Sequence, residues 1–232
     1  MSMKRKFENQ KVQSGGFTLL ELLIVISIVA ILSVALIIVL NPAETLRKAR
    51  DAQRISDLNN LKSAIGIYMT NTASPILGSA NNASCKTTPA TARGAAGTFK
   101  IYYSLPSTSA ITDVTLDGST VTTPAVQVAT PALTSGSGWI PVNFDGLTGG
   151  SPISNIPVDP INTIASLSAV ASTDLVYRYT CSVTPLAFEV AAQLESTAYT
   201  VTEDKRATDG GNNASYYEVG TNLQEFSTGV DF

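Results

Sequence analysis

The sequence predicts an α+β protein in which one long N-terminal helix is joined to a head containing an antiparallel sheet. An apolar run from Phe17 to Leu40 holds a single ionisable residue and indicates the first part of the helix. Apolar residues at helical spacing continue this pattern as far as Tyr68. Runs rich in β-branched and aromatic residues appear toward the C-terminus, where they indicate strands.

The N-terminal apolar run is long enough to cross a membrane. Its 24 residues span about 36 Å as a helix, whereas the hydrocarbon core of a bilayer is about 30 Å thick. The basic residues that precede it, opposed only by Glu8, are Lys4, Arg5, Lys6 and Lys11. Because basic flanks stay in the cytoplasm, we expect a single-pass precursor of the cytoplasmic (inner) membrane with everything after Leu40 exported.

Two small residues, Gly15 and Gly16, stand before the apolar run rather than after it. An ordinary secretory signal has a shorter apolar core and is cleaved behind that core. Cleavage after Gly16 would instead remove residues 1–16 as a leader and keep residues 17–40 as a membrane and assembly helix. A flexible joint before the helix is the alternative reading of both glycines.

Glu21 is the one charge inside the apolar run. With Thr18 it has the spacing of a capping box, in which an acid in the first helical turn is favoured. An unpaired carboxylate in lipid nevertheless costs up to roughly 2 to 4 kcal/mol at mid-depth. Cleavage before Phe17 would supply a partner, since the new α-ammonium lies four residues from Glu21 on this chain and is also available to a neighbouring chain.

The stretch GGFTLLELLIVISIVAIL resembles the class III signal and hydrophobic helix of type IV prepilins and of type II secretion pseudopilins. This resemblance implies a pilin-like fold. It also implies that a prepilin peptidase cleaves between Gly16 and Phe17 and N-methylates Phe17, and that Glu21 guides each subunit into a filament. Many members have Gly and Pro inside the apolar helix, and residues 17–40 contain neither.

A second helix is expected after a bend near residues 40–42, with Asn41 as N-cap, Pro42 at the first position and Glu44 at the third. Residues 41–70 then form an amphipathic continuation, and the half of its apolar stripe after Ile55 is expected to pack on the antiparallel sheet of the head. The stripe consists of Leu46, Ala49, Ala52 or Gln53, Ile55, Leu58, Leu61, Ile65 and Tyr68. The basic cluster between Arg47 and Arg54 is expected to be a solvated face, with neighbouring acids or lipid headgroups as alternative partners.

The amino-acid composition changes beyond the second helix. Residues 71–138 are rich in Ala, Ser and Thr and are expected to form a variable, loop-rich insertion on the exterior of the head. Strand-like runs occur inside this segment at residues 99–103 and 111–116, and directly after it at residues 139–144. Better strand candidates are LVYRYTCS, LAFEVAAQL and SYYEV, which place the sheet in residues 139–232.

The C-terminal half extends the resemblance. The segments IPVDPIN, YRYTC, FEVAAQLES and DGGNNASYYEVG resemble, in this order, those of the pseudopilin G-like branch and similar bacterial pilins. The resemblance covers residues 14–70 closely and residues 139–222 more loosely. In some pseudopilins the late loop binds calcium, and the oxygen ligands here would be Asp204, Asp209, Asn212 and Asn213. The same residues also suit a plain turn, so we expect no metal or other cofactor and leave calcium as the alternative.

Two cysteines, Cys85 and Cys181, lie in the part expected to be exported. An oxidising compartment and an even count permit one disulfide. Such a bridge would pin the insertion to the C-terminal sheet. Free or buried thiols are the alternative, since the sequence contains no measure of the distance between them.

The composition excludes several function classes. The chain has no histidine, which removes the usual general base and the commonest zinc ligand, so we expect no enzyme. The formal net charge of −3 gives no indication of nucleic-acid binding.

Three functions then follow from the motif and the resemblance. The first is a pilin, the homo-oligomeric subunit of a type IV pilus or pilus-like filament on the cell surface. The second is a pseudopilin of a type II secretion system, and the third is a single-span anchored binding protein. The first two imply prepilin peptidase, the inner-membrane assembly machinery and, before assembly, membrane lipid as partners.

Overall fold

The computed structural model of the chain describes residues 15–87, 100–106, 126–128, 130–165, 170–171 and 173–226. The chain divides into two units, Met1–Ala43 and Glu44–Phe232, and the second is called the head below. Two helices form most of residues 15–71: α1 is Leu19–Leu40 and α2 is Pro42–Asn71.

The interruption between α1 and α2 occurs at a single residue. Asn41 ends α1 in the left-handed conformation, with φ 38° and ψ 73°. Asparagine tolerates this conformation better than most residues, and the following Pro42 has no N–H to continue the α1 hydrogen-bond ladder. Helix α1 therefore ends and α2 begins within residues 40–42, where the sequence predicts a bend, and Pro42 is the first residue of α2 as its fixed φ favours.

The head contains one five-stranded sheet in the order β2-β1-β3-β4-β5. Its strands are β1 Tyr102–Pro106, β2 Val126–Val128, β3 Tyr177–Val183, β4 Leu186–Ala192 and β5 Tyr217–Gly220. The strands β1, β3, β4 and β5 pair antiparallel, whereas β2 adds to β1 in parallel. The predicted α+β class with an antiparallel sheet is confirmed.

The strand predictions differ in their outcome. The runs LVYRYTCS, LAFEVAAQL and SYYEV supply β3, β4 and β5. The last two residues of the predicted run 99–103, Tyr102 and Tyr103, begin β1. Residues 139–144 were predicted as strand-like, and this is wrong. They form one isolated bridge, Ser135 to Asn143, and enter a 3₁₀ turn at Phe144–Gly146. Pro141 lies inside this run without an N–H for a ladder, and the predicted run 111–116 lies outside the described residues.

Part of the expected insertion belongs to the sheet. Strand β1 lies between residues 71 and 138, and its Tyr102 and Tyr103 are buried. Tyr102 pairs with Tyr179 of β3, next to the centre of the sheet. This described part of the segment therefore contributes to the core as well as to the surface, because its aromatic residues fit a pleated, buried position.

The apolar core lies on both faces of the sheet. On one face, α2 contributes Leu58, Leu61 and Ile65, which cluster with Tyr179 and Phe188 of the sheet. A second cluster contains Ile101, Tyr103, Val170, Val176, Ala191, Tyr216 and Phe226. Side chains alternate between the faces of a strand, so neighbouring residues such as Tyr102 and Tyr103 fall into different clusters.

The apolar stripe of α2 packs on the sheet in the half after Ile55, as predicted. Leu46 and Ala49 are exposed, whereas the buried positions of the first half are Asp51 and Arg54. The expectation that the basic cluster is a solvated face is therefore wrong for Arg54, which is 0% exposed. Its guanidinium is held by acids of the head, and these compensate the loss of water.

Candidate processing and assembly site

The candidate cleavage position precedes α1 in irregular, exposed backbone. Gly15, Gly16 and Phe17 have no helical or strand assignment, and all three are exposed. A Cβ built on Gly16 meets no atom within 4 Å, and the same is true of Gly15. The packing of this chain therefore gives no reason for glycine at either position.

Glu21 and Thr18 form the capping box that their spacing predicts. The Glu21 N–H donates to Thr18 Oγ1 at 3.2 Å, and the Thr18 N–H donates to Glu21 Oε2 at 2.9 Å. The Thr18 hydroxyl also donates to Glu21 Oε2, at 3.0 Å. Both donations to the carboxylate fall on one oxygen, so Oε1 retains the capacity to accept a further donor.

Over Leu19–Ile37 the surface of α1 is apolar except for Glu21 and two serines. Residues Leu19–Ile37 have a mean hydropathy of 2.9, and none of this segment is buried. Its two serines satisfy their hydroxyls within the helix, since Ser27 donates to Ile24 O and Ser33 donates to Val29 O, both at 2.7 Å. Within the part of the chain that the structure describes, this is the one helix whose length and composition suit a membrane span.

The two cysteines meet in the head. Cys85 and Cys181 form a disulfide between the segment before β1 and strand β3. Both residues are buried in the apolar cluster that faces α2. Backbone hydrogen bonds flank the bridge, because the Lys86 N–H donates to Cys181 O at 2.7 Å and the Val183 N–H donates to Lys86 O at 2.8 Å.

Three of the four residues considered for calcium have hydrogen-bond partners in the protein, whereas Asn212 Oδ1 is a buried atom that accepts no hydrogen bond from the described residues. The Asp204 carboxylate accepts a hydrogen bond from the Arg206 guanidinium at 2.9 Å. Asp209 accepts hydrogen bonds from the backbone N–H groups of Gly211 and Glu218. Asn213 Oδ1 accepts the Ser215 N–H. Among the described residues, no three His, Cys, Asp or Glu side chains gather as a metal site. Calcium therefore stays the alternative that the sequence leaves open.

Sequence reasoning missed a cluster of charged residues, here called the ionic clasp: Arg50, Asp51, Arg54, Asp159 and Glu195. It joins α2 to two loops of the head. The only local signal was the i,i+3 spacing of Asp51 and Arg54. Asp159 and Glu195 lie 105 and 141 residues from Arg54, and no periodicity connects positions so far apart.

The comparisons with known proteins bear on the N-terminus. Residues 12–37 match the family described as the prokaryotic N-terminal methylation motif. The match includes both glycines, Phe17, Glu21 and most of α1. No curated protein and no solved structure matches the chain.

Proposed function

We propose that the chain is a structural subunit of a type IV pilus or pilus-like filament. The methylation motif and the apolar helix are those of a prepilin-like protein of the type IV pilin and pseudopilin class. The precursor is anchored in the membrane by α1, cleaved between Gly16 and Phe17 and N-methylated on Phe17. It then polymerises through α1 into a filament on the cell surface. The observation that carries this proposal is a methylation motif continuous with an apolar helix that contains one carboxylate.

The surroundings of Gly16 support processing at this position. Since a Cβ on Gly16 meets nothing in this chain, the requirement for glycine comes from outside the fold. A protease pocket that closes around the scissile bond supplies such a requirement, because a hydrogen occupies less space than a methyl group. Phe17 is 88% exposed, so the peptidase reaches the bond without unfolding the head.

The chemistry of Glu21 supports assembly through α1. In the chain before cleavage its carboxylate has hydrogen bonds from Thr18 but no neighbouring cation on α1. Cleavage creates the Phe17 α-ammonium, and packing of two apolar helices side by side brings one chain's ammonium to another chain's Glu21. The pairing lowers the cost of a buried charge and favours one axial register.

A pseudopilin of a type II secretion system is the second candidate. The segments IPVDPIN and DGGNNASYYEVG, which resemble the pseudopilin G-like branch, favour it. Detection of the chain in fibres sheared from cells supports the pilus. Confinement to the envelope, together with loss of protein secretion on deletion, supports the pseudopilin.

Mass spectrometry of the mature N-terminus tests the proposal in a host with active prepilin peptidase. We expect a chain that starts at N-methylated Phe17. Gly16→Val should keep the leader, whereas the matched control Gly15→Val should be processed, since neither new side chain meets an atom of this chain. An intact leader on the unmodified protein would point to an anchored binding protein. Equal loss of processing in both variants would assign the glycines to flexibility alone.

A further inference from the structure

The two halves of α2 are attached to the rest of the head by different interactions. Its second half carries the buried apolar residues Leu58, Leu61, Ala64, Ile65 and Tyr68. Its first turns, residues 44–56, have no fully buried apolar side chain, and their two buried residues are Asp51 and Arg54. Polar contacts therefore hold the first turns, and apolar packing holds the rest.

Arg54 is the centre of the ionic clasp. Its Nε and Nη2 donate to the two oxygens of Asp159, at 2.6 and 2.9 Å, in a bidentate pair. Its Nη1 donates to Asp51 at 2.8 Å and to Glu195 at 2.6 Å. The side chains of Arg54, Asp51 and Asp159 are 0% exposed, so these charges depend on one another rather than on water.

The clasp also binds backbone of the loop after β4. Asp51 accepts the N–H of Glu195 at 3.0 Å and that of Ser196 at 2.7 Å. Arg50 donates to both oxygens of Glu195, at 2.9 and 2.7 Å. Next to the clasp, Glu44 accepts the Ala198 N–H at 3.1 Å. The first turns of α2 are thus fastened to residues 195–198 and to the loop of Asp159.

An attachment of this kind behaves differently from apolar packing. Buried charge pairs need short distances and defined angles, and loss of one partner leaves the others unpaired in a poorly solvated place. Partial loss of the contacts in the clasp is therefore unfavourable, and its ion pairs are expected to form and break together. Apolar contacts tolerate small shifts, so residues 58–68 need not follow when the clasp opens.

From this division we propose that the ionic clasp is a latch that docks residues 44–56 of α2 on the loops of Asp159 and Glu195 and releases them as a unit. The apolar half of α2 stays packed in both states. The segment that directly follows the N-terminal apolar helix in sequence thereby has two attachment states, and the clasp selects between them. This inference rests on the contacts of the head and does not require that the chain form filaments.

Hydrogen exchange read by mass spectrometry tests the latch on the full chain in detergent micelles. Arg54→Met removes the central guanidinium and keeps an unbranched side chain of similar length. We expect protection of amides in residues 46–56 and 195–198 to fall by about 100-fold, while residues 58–68 change less than about threefold. Lys62→Met is the matched control, because Lys62 lies exposed on the same helix.

A second variant keeps the test decisive if Arg54→Met does not fold. Asp159→Asn leaves Oδ1 to accept the N–H groups of Ile161 and Asn162 but turns an amide N–H₂ toward Arg54 Nε. We expect the same local pattern with a smaller loss of protection, about tenfold. Uniform loss along α2 and the sheet would overturn the latch, because the clasp would then open only with global unfolding. Unchanged protection of residues 46–56 in a folded variant would overturn it as well.

Discussion

The Glu21 side chain has two roles, as a helix cap and as a charge for assembly, and substitutions can separate them. The carboxylate closes the first turn of α1 through its contacts with Thr18, and its charge is the only one in the apolar segment Leu19–Ile37. A cap needs an acceptor oxygen, whereas an ion pair with a neighbouring α-ammonium needs a negative charge. Neutral and charged acceptors at position 21 therefore have different effects on helix formation and on assembly.

Glu21→Gln keeps an acceptor for the Thr18 N–H and removes the charge, so we expect at least a tenfold loss of pelleted fibres with insertion and cleavage intact. Thr18→Val removes the hydroxyl contacts at 3.0 and 3.2 Å and costs the start of α1 about 1 kcal/mol. Its fibre yield should stay close to that of the unmodified protein. Quantitative pelleting with N-terminal analysis measures both. Equal loss in the two variants would mean that capping alone explains Glu21.

At the scale of elements, the second half of α2 and the sheet stabilise each other by apolar burial. Leu61 is 0% exposed on the core face of the helix, whereas Ile67 on the same helix is 45% exposed. A disulfide adds a covalent link between strand β3 and the segment before β1. These two kinds of link predict separate losses of stability.

Leu61→Ala should lower the free energy of unfolding of the head by about 2 to 5 kcal/mol, because it removes buried methyl groups and leaves a cavity. The control Ile67→Ala starts from a half-exposed side chain and should cost less than about 1 kcal/mol. Urea unfolding followed by tyrosine and tryptophan fluorescence measures the difference. Similar losses for both would show that α2 is not packed on the sheet through the Leu61 face.

Replacement of both cysteines, Cys85→Ala with Cys181→Ala, should lower the free energy of unfolding by about 4 to 5 kcal/mol. The bridge closes a loop with a sequence separation of 96, and this restricts the unfolded chain. Comparison of urea midpoints for the oxidised protein, the reduced protein and the double variant measures the effect. A reductant should leave the double variant unchanged, and a shift there would reveal another cause.

At the scale of the whole molecule, the head combines acids whose pKa values move in opposite directions. Burial and the neighbouring Glu218 raise the pKa of Glu189 well above its ordinary value. Glu189 also accepts the N–H groups of Glu225 and Phe226, so it fastens the segment after β5. In contrast, the hydrogen bond from Arg50 lowers the pKa of Glu195 to about 2.

The pH dependence of stability follows from these two directions. A raised pKa, as for Glu189, contributes stability below the unfolded value, and this is lost as the pH rises through the folded value. A lowered pKa, as for Glu195, contributes stability above the unfolded value near 4.5, and this is lost as the pH falls toward about 2. The free energy of unfolding should therefore be highest in weakly acidic solution. Urea unfolding between about pH 3 and pH 9 measures the curve.

Glu189→Gln should flatten the neutral and alkaline side of this curve, because a neutral amide replaces the group that ionises there. Glu195→Gln should flatten the acid side. Curves that keep their slopes in both variants would assign the pH dependence to other groups.

The sequence alone predicted the features that short stretches determine. The change of helix at Asn41 and Pro42 depends on adjacent residues, and the strands β3 and β4 are consecutive runs of strand-forming residues. The methylation motif is likewise continuous in sequence. Local chemistry was sufficient in each case.

The burial of Arg54 could not be predicted from the sequence, because the local sequence around an arginine does not reveal whether distant acids will pair with it. Asp159 and Glu195 become partners only through the fold. The prediction of a strand at residues 139–144 was wrong for a related reason. Its apolar residues are buried as a prediction of strand requires, but the backbone N–H of Trp139 donates to Pro131 O in a loop rather than within a ladder. Apolar composition therefore indicated the core there without indicating the backbone.

The division of the chain at Ala43 and Glu44 has a practical consequence. Both apolar clusters of the head draw their residues from Leu58 onward, and the acids and arginines that fasten the start of α2 begin at Glu44. A fragment that starts at Glu44 thus retains every one of these interactions and omits the lipid-compatible helix. Such a fragment should be water-soluble without detergent, which would make the head accessible to crystallography and to solution NMR.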